Sequence, residues 1–310
     1  GGLRWLSTKQ LANGSWSASE GRRDEHAVAM TGYVLMAYMA AGNLPEQGEF
    51  AKQVKGGLDF LLEYIGTDGV FRGVDGGKYM YNHGIASIAL AELYGETRHP
   101  AMREKLQRVI QLIISSQSTE DRHRGGWRYH PGSKDSDTSC SGWALMALRS
   151  ARLNGAPVPP QSIKDAVDYT LRRFERKVGH FGYMDQYQHK DSLTGAGLMC
   201  LELCGRHATP ENLLAGEWIL ANHENLPRAE FEFYGNYYNA QGMFQLGGKY
   251  WKTYAEWMYP HYLEEQKEDG SWMGERFGRV YGTTMMILAF TVPARQLPIY
   301  QRDERVDDGP

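Results

Sequence analysis

Two kinds of helical segment alternate along this chain. In the first kind, apolar residues recur at helical spacing among polar ones, as in REKLQRVIQLIISSQ at residues 103–117. Such a segment covers a core with one face and meets solvent with the other. The second kind is apolar on nearly all sides, as in HAVAMTGYVLMAYMAAG at residues 26–42. The alternation predicts an outer layer of amphipathic helices and an inner layer of buried ones.

Six such pairs follow one another, and the fifth, NLLAGEWILANH with YYNAQGMFQLGG, is the weakest. A glycine recurs in each second helix, where the missing side chain lets a neighbouring helix approach closely. These glycines are Gly32, Gly84, Gly142, Gly195, Gly242 and Gly282. The uniform order predicts an all-α fold, a single closed (α/α)6 toroid of six hairpins over residues 1–293, rather than an open superhelix. Residues 294–310 are polar, contain Pro298 and lack a helical period, so we expect a tail extended on the surface.

A short loop that combines glycine with an aromatic residue joins most outer helices to their inner partners. Three of these loops read NGSW, RGGW and DGSW and end at Trp16, Trp127 and Trp272, with a glutamine several residues earlier. The glycine turns the chain, the aromatic ring fills the wedge between hairpins, and the glutamine can bond the loop backbone. The pattern therefore predicts buried structural residues, not catalysts.

Composition excludes several classes of function. The formal net charge of −3 gives no basic surface for nucleic acid. The longest apolar stretch, residues 27–41, is shorter than the roughly 20 residues of a membrane span, so no transmembrane segment is predicted. Cys140, Cys200 and Cys204 are too few and too scattered for a disulfide framework. The expected partner is a small-molecule or lipid ligand in a central cavity, and a protein partner is left open.

The glutamine–glycine–tryptophan pattern on six helix pairs resembles the QW-type repeats of the prenyltransferase and squalene-cyclase superfamily. SDTSCSGWALMALRSARLNG, residues 136–155, is similar to bacterial terpene-cyclase-like members. The resemblance implies the toroid fold and an isoprenoid-like ligand. Protein prenyltransferases of this superfamily hold zinc with an Asp, a Cys two residues later and a distant His, for which His189 is available. Because Cys140 follows Asp137 by three residues instead, we predict no metal and no cofactor.

Class II terpene cyclases of this superfamily protonate an alkene with an Asp-x-Asp-Asp motif. KDSDTS, residues 134–139, offers Asp135 and Asp137 in two possible registers. In one register Asp137 is the proton donor and Thr138 replaces the last Asp. In the other, Asp137 is the last Asp and Ser136 stands at the donor position. The acid motif is therefore incomplete in either register.

Polar and aromatic residues precede each inner helix, where the first turns of a toroid face the central cavity. They begin with Asp24, Glu25 and His26 in the first unit. The candidate catalytic residues are Asp137, Asp135, His83 and His189. The candidate ligand-binding residues are Tyr81, Asp191, Tyr237, Tyr238, Asn239, Arg276 and Tyr281. The structural alternatives are helix capping by the aspartates, a satisfied core histidine at position 83, and packing for the tyrosines.

Three functions remain open from the sequence. The first is a squalene- or terpene-cyclase-like protein that binds or transforms an isoprenoid-like lipid, with aromatic faces sheltering a cation. The second is a carbohydrate-active toroid, either a polysaccharide lyase or a hydrolase. The third is a non-catalytic scaffold for a ligand or protein. An apolar cavity floor favours the first, a groove lined by Arg and Tyr the second, and a filled centre the third.

Overall fold

The computed structural model describes residues 1–18, 26–73, 78–294 and 296–301, and this part of the chain is predominantly helical. Six outer helices alternate with six inner ones. The outer helices are α1 Gly2–Ser7, α3 Ala51–Tyr64, α5 Pro100–Ser115, α7 Pro160–Leu171, α9 Pro210–Asn222 and α11 Gly248–Glu264. The inner helices are α2 Ala27–Ala40, α4 Tyr79–Thr97, α6 Thr138–Leu153, α8 Thr194–Leu203, α10 Glu232–Leu246 and α12 Gly278–Phe290.

The inner helices form a closed ring. Each packs against the next in chain order, and α12 returns to pack against α2. Each outer helix lies against the ring, and Gly1 at the start of α1 touches Gly270 in the loop before α12. A short antiparallel ribbon, β1 Phe174–Glu175 with β2 His180–Phe181, replaces a simple loop in the fourth hairpin. The predicted (α/α)6 toroid is confirmed.

Burial explains why the two kinds of helix differ in sequence. In α2, every residue from Val28 to Ala40 is buried, because an outer helix and two ring neighbours surround it. In α5, burial is confined to one stripe at helical spacing: Met102, Leu106, Val109, Ile110 and Ile113. Three outer helices begin with Pro, which suits the first helical turn because its missing N–H would have no partner there. None of the helices in the described ranges combines the length and apolar character that crossing a membrane requires.

The inner-helix glycines allow close packing at some positions only. A Cβ on Gly32 would lie 3.0 Å from the Ala86 Cα, and one on Gly84 would lie 3.2 Å from the Trp143 Cβ. Gly142 is different, since its nearest neighbour, the Cys200 Sγ, would be at an ordinary 3.7 Å. Close approach therefore explains Gly32 and Gly84 but not Gly142.

The three loop tryptophans are buried, as predicted, and each makes the same two hydrogen bonds. The indole Nε1 donates to a carbonyl of the preceding outer helix, and the backbone N–H donates to a hydroxyl on the following inner helix. The carbonyls belong to Leu6, Ile113 and Tyr262, and the hydroxyls to Thr31, Ser141 and Thr283, for Trp16, Trp127 and Trp272 respectively. Each tryptophan thus joins both helices of its hairpin.

The glutamines bond the loop backbone, as the sequence suggested. Gln117 Nε2 donates to the carbonyl of Gly125 in its own loop at 3.1 Å and to that of Ser162 in α7 at 2.8 Å. Gln10 makes the equivalent pair of bonds to Gly14 and Gln53. The side chain therefore connects a loop to the outer helix of the next hairpin.

The C-terminal segment does not lie extended on the surface, and that prediction was wrong for the residues described there. Leu297, Ile299 and Tyr300 are buried. The Arg149 guanidinium donates to the Ile299 carbonyl, and the Glu92 carboxylate accepts from the Ile299 N–H at 3.1 Å. Apolar side chains in a polar-looking segment thus cover the end of the ring where α4 and α6 finish. Residues 295 and 302–310 lie outside the described residues, and the division at residue 293 remains a prediction.

Candidate functional site

A cavity of 600 Å³ lies at the end of the ring where the inner helices begin. It is the size of a small-molecule site. Its lining combines aromatic rings, hydroxyl and amide groups and three cations, and none of the described lining residues is an Asp or a Glu. The lining consists of His26, Ala29, Met30, Tyr33, Lys78, Tyr81, Asn82, Ile85, Tyr129, Ser139, Trp143, Tyr183, Lys190, Ser192, Leu193, Phe231, Tyr234, Arg276, Phe277 and Tyr281.

Aromatic rings form the wall and the floor of this cavity. Tyr33 packs edge-on against Trp143 and Tyr281, with ring centroids 5.2 and 5.9 Å apart. Beneath Trp143, Tyr237 stacks parallel to it at 5.8 Å, and Tyr238 packs at 5.3 Å. Since Tyr237 and Tyr238 are almost fully buried, they support the floor and do not line the cavity.

The tyrosine hydroxyls of the wall remain protonated at neutral pH. Burial raises the pKa of Tyr33, Tyr81 and Tyr281 well above its ordinary value, and neighbouring tyrosines and carboxyls raise it further. These hydroxyls therefore offer neutral hydrogen-bond donors and acceptors to a ligand. They are poor candidates for a general base.

His26 and Asn82 form a polar pair in the wall. The Asn82 Nδ2 lies 3.4 Å from the His26 Nδ1, and the Asn82 Oδ1 accepts from the Ala29 N–H at 3.2 Å. Among the described lining residues His26 is the one histidine, the side chain most often used for proton transfer. The first turns of α2 and α4 thus place an amide beside a potential proton acceptor.

Three cationic side chains stand around the cavity. Lys78 lies over the Tyr129 ring at 5.1 Å, and the Arg276 guanidinium lies 4.8 Å from the Phe231 ring and 3.5 Å from the exposed Glu230. Lys190 is the third. With no carboxylate in the described lining, this part of the cavity favours an anionic group on a ligand.

Asp137 is a helix cap and an ion-pair partner. Its Oδ1 accepts from the Cys140 N–H at 2.8 Å, and its Oδ2 accepts from the Arg128 Nη1 at 2.6 Å. Its side chain is wholly buried and does not line the cavity. Burial raises the pKa of Asp137, while the Cys140 N–H and Arg128 oppose that rise. Asp135 also binds Arg128, at 3.2 Å, from a half-exposed position outside the lining.

Arg128 connects Asp135 and Asp137 to the cavity wall through hydrogen bonds. Its Nη1 donates to the Tyr183 hydroxyl at 2.8 Å, and Tyr183 shares a 2.7 Å hydrogen bond with the Tyr129 hydroxyl. Tyr129 and Tyr183 both line the cavity. Two residues, Arg128 and a wall tyrosine, therefore separate the two aspartates from the cavity.

His83 does not face the cavity, contrary to prediction. Its ring lies fully buried against α5, where the Nε2 is 2.8 Å from the Val109 carbonyl and the Nδ1 is 3.0 Å from the Tyr79 hydroxyl. Burial lowers its pKa to about 4, and the Val109 hydrogen bond only partly opposes this. His83 is therefore a neutral core histidine, the structural alternative weighed from the sequence.

His189 and Asp191 pair with each other instead of joining the other candidates. The His189 Nε2 lies 2.6 Å from the Asp191 Oδ1, and its ring packs against Trp218 of α9. Neither residue lines the cavity. The predicted cluster of Asp137, His83 and His189 is therefore not assembled. The three side chains face different neighbours. Asp137 bonds Arg128, His83 lies against Val109 of α5, and His189 packs on Trp218 of α9.

Of the predicted ligand-binding residues, Tyr81, Arg276 and Tyr281 line the cavity. Asn239 is buried and does not line the cavity; its side chain lies next to Gly195. Asp24 and Glu25 lie outside the described residues.

Sequence reasoning missed Tyr129 and Tyr183, although a signal was present. Each follows a buried loop aromatic by two residues, in WRY after Gly126 and in FGY after His180. Trp127 and Phe181 point into the wedge between helices. In extended backbone, residues two apart point to the same side of the chain. Tyr129 and Tyr183 therefore point the same way as these aromatic residues and extend beyond them to the cavity. Tyr33 and Trp143 were also missed, because both sit within helices that read as uniformly apolar.

No protein-family model matches the sequence, and no curated protein matches it. Solved structures do share the fold. An inactive variant of the GH76A α-1,6-mannanase of a Salegentibacter species, in complex with α-1,6-mannotriose, has a TM-score of 0.69 at 11% identity, covering 94% of this chain and 96% of that one. The cellobiose 2-epimerase of Bacillus thermoamylovorans has a TM-score of 0.67 at 12% identity, covering 93% and 94%.

A type II terpene cyclase variant from Scytonema, in complex with geranylgeranyl dihydroxybenzoate, has a TM-score of 0.59 at 14% identity, covering 96% of both chains. At these identities the likenesses concern the fold alone. The chain has the α/α toroid architecture that both sugar-acting enzymes and a terpene cyclase use.

Proposed function

We propose that this toroid binds a carbohydrate in its 600 Å³ cavity. The observation that carries the proposal is the lining, which pairs aromatic faces with neutral tyrosine hydroxyls and three cations. A sugar presents apolar ring faces and many hydroxyl groups, so it can pack on Tyr or Trp rings while satisfying polar groups around it. A groove lined by Arg and Tyr is the arrangement that the sequence analysis associated with carbohydrate.

The isoprenoid alternative has less support from the site. Alkene protonation needs a strong acid aimed into the cavity. The candidate acid Asp137 is paired with Arg128 at 2.6 Å and does not reach the lining. An apolar isoprenoid chain would also displace water from the polar groups of the wall without offering them hydrogen bonds, which is costly.

Between the two carbohydrate chemistries, proton abstraction fits the described residues better than hydrolysis. Glycoside hydrolysis uses two carboxyl groups about 5–10 Å apart on either side of the sugar bond. The described lining holds no such pair. His26 and Asn82 instead offer a base beside an amide, and Arg276 with the two lysines suits the carboxylate of a uronic sugar. We therefore propose a polysaccharide-lyase-type activity on a uronate-containing oligosaccharide.

In such an elimination, His26 takes the proton from the carbon next to the uronate carboxylate. The electron pair of the broken C–H bond then forms a carbon–carbon double bond as the bond from the neighbouring carbon to the glycosidic oxygen breaks, and the leaving oxygen takes a proton from water. Neutralisation of the carboxylate by Arg276, Lys78 or Lys190 makes that proton more acidic.

The test compares three ligand classes by calorimetry: uronate oligosaccharides, neutral oligosaccharides and geranylgeraniol. We expect the uronates to bind, and Arg276→Gln to weaken that binding about tenfold or more. Arg103→Gln, an exposed position on α5, is the matched control. Turnover is followed by the ultraviolet absorbance of the unsaturated product, and His26→Asn is expected to abolish it while binding persists. Binding of geranylgeraniol alone would overturn the carbohydrate proposal, and hydrolysis without an unsaturated product would overturn the lyase chemistry.

A further inference from the structure

A second cluster of titratable side chains lies outside the cavity, between α10 and α11. Glu232 is the first residue of α10, and His261 and Glu265 lie one turn apart at the end of α11. One carboxylate oxygen from each glutamate and one ring nitrogen of His261 all lie within 4.8 Å of one another. The His261 Nε2 and the Glu265 Oε1 are 3.6 Å apart, too far for a hydrogen bond.

Several polar atoms at this cluster are buried and unpaired within the described part of the chain. They include the Glu232 Oε1, the His261 Nε2 and the Tyr262 hydroxyl. Tyr262 is completely buried. Its hydroxyl lies beside the Glu232 carboxylate. Nearly all buried polar groups in folded proteins have partners, so the unpaired atoms of Glu232 and His261 indicate a missing ligand.

Two further features show how the cluster is held and charged. Trp257 stacks on the His261 ring at 5.1 Å with an angle of 14°, which fixes the ring orientation. Glu232 and Glu265 crowd two carboxylates beside one imidazole, and a bound cation would offset their charge.

Although the sequence predicted no metal, we propose that Glu232, His261 and Glu265 form a binding site for a divalent cation of the zinc class, with the Tyr262 hydroxyl beside it. One imidazole and two carboxylates are donors that zinc accepts in proteins. Zinc bonds of about 2.0–2.2 Å bring ligand atoms closer together than the spacing seen here. The exposed Glu265 is free to supply that movement, because it caps the end of α11.

An ion bound by Glu232 would stabilise the adjacent part of the cavity wall, which contains Phe231 and Arg276. Glu232 follows Phe231 directly, and the Phe233 N–H donates to Glu275 at 2.5 Å, next to Arg276. Phe231 and Arg276 both line the cavity. The proposed site is nevertheless independent of what the cavity binds, and its test needs no cavity ligand.

The experiment measures Zn²⁺ binding to tag-free protein that has been treated with chelator and dialysed, by calorimetry and metal analysis. We expect one Zn²⁺ per chain and a rise in unfolding temperature on its addition. Glu232→Gln and His261→Asn should each weaken binding at least tenfold and remove the rise.

Two control variants separate this site from adventitious binding. Glu264→Gln changes the exposed neighbour of Glu265, and His189→Asn removes a different histidine–carboxylate pair; both should leave Zn²⁺ binding unchanged. If Glu232→Gln does not fold, Glu265→Gln tests the same site from an exposed position. Absence of stoichiometric binding to the wild type would overturn the proposal. So would binding that survives these ligand substitutions or that is lost in His189→Asn.

Discussion

At the scale of single residues, burial decides which titratable groups carry a charge. Glu92 is completely buried near the end of α4, where the Ser150 hydroxyl and the Ile299 N–H donate to its two oxygens. Burial raises its pKa to about 7, although both donors and Arg149 lower it. Glu92 therefore fastens the C-terminal segment to the ring and makes that attachment sensitive to pH.

The unfolding free energy should depend on pH through Glu92. Between about pH 4.5 and 7, the folded protein holds a proton on Glu92 that the unfolded chain has lost, so stability falls as pH rises through this window. Glu92→Gln removes this slope. The difference in unfolding free energy between wild type and variant should shift by on the order of 3 kcal/mol between pH 4 and pH 8, measured by chemical denaturation.

Glu256→Gln, an exposed substitution on α11, is the control and should leave the pH profile of the wild type unchanged. Parallel profiles for the wild type and Glu92→Gln would show that Glu92 is already ionised in the folded protein at low pH.

At the scale of elements, the repeated loop joins the first and third hairpins to the hairpins that follow them. Gly125 illustrates why glycine is needed there. Its φ of +87° lies in the left-handed region, and a Cβ would come within 2.0 Å of the Asp165 carbonyl in α7. The loop backbone thus presses directly on the next outer helix, and Gln117 bonds across the same junction. Tryptophan, glutamine and glycine act together, which explains why the sequence repeats all three.

Gln117→Ala should lower the unfolding free energy by roughly 1–3 kcal/mol, because it leaves the Gly125 and Ser162 carbonyls without their donor. Gln111→Ala, at an exposed position of the preceding helix α5, should change it by less than about 0.5 kcal/mol. Thermal and chemical unfolding of both variants provide the measurement. Equal effects of the two substitutions would mean that the bridge across hairpins contributes nothing beyond helix propensity.

At the scale of the whole molecule, closure of the ring creates two unlike ends. Where the inner helices begin, aromatic side chains leave an open cavity. At the other end, Leu297, Ile299 and Tyr300 cover the ring, and the Tyr300 hydroxyl meets that of Tyr237 under the cavity floor. The toroid is therefore closed at one end, and within the described residues a ligand enters the cavity from the other end.

Ile299→Ala should cost roughly 2–5 kcal/mol of unfolding free energy, as expected for a side chain with no exposure in a packed core. Gln296→Ala, exposed three residues earlier, should cost less than about 0.5 kcal/mol. Chemical denaturation of the two variants distinguishes a packed segment from a surface tail. A negligible loss for Ile299→Ala would restore the surface tail that the sequence first suggested.

The sequence by itself determined the architecture, because the pattern of apolar positions is a local property of each helix. An outer helix needs one apolar stripe and an inner helix needs apolar residues all round, so their alternation was enough to predict six hairpins in two rings. The structural role of the Gln–Gly–Trp loops was equally predictable from the sequence, since most of their hydrogen bonds join residues of one hairpin. Trp127, for example, donates to Ile113 and Ser141 of its own hairpin.

Only the tertiary structure decided which side chains meet in the cavity. Tyr81 and His83 are two residues apart on α4, yet one lines the cavity and the other packs against α5. Asp137 was withdrawn from the cavity by Arg128, which lies nine residues earlier, and Ile299 was buried by contacts more than 100 residues away. Such outcomes depend on the rotation of each helix and on partners distant in sequence, and a residue pattern carries neither.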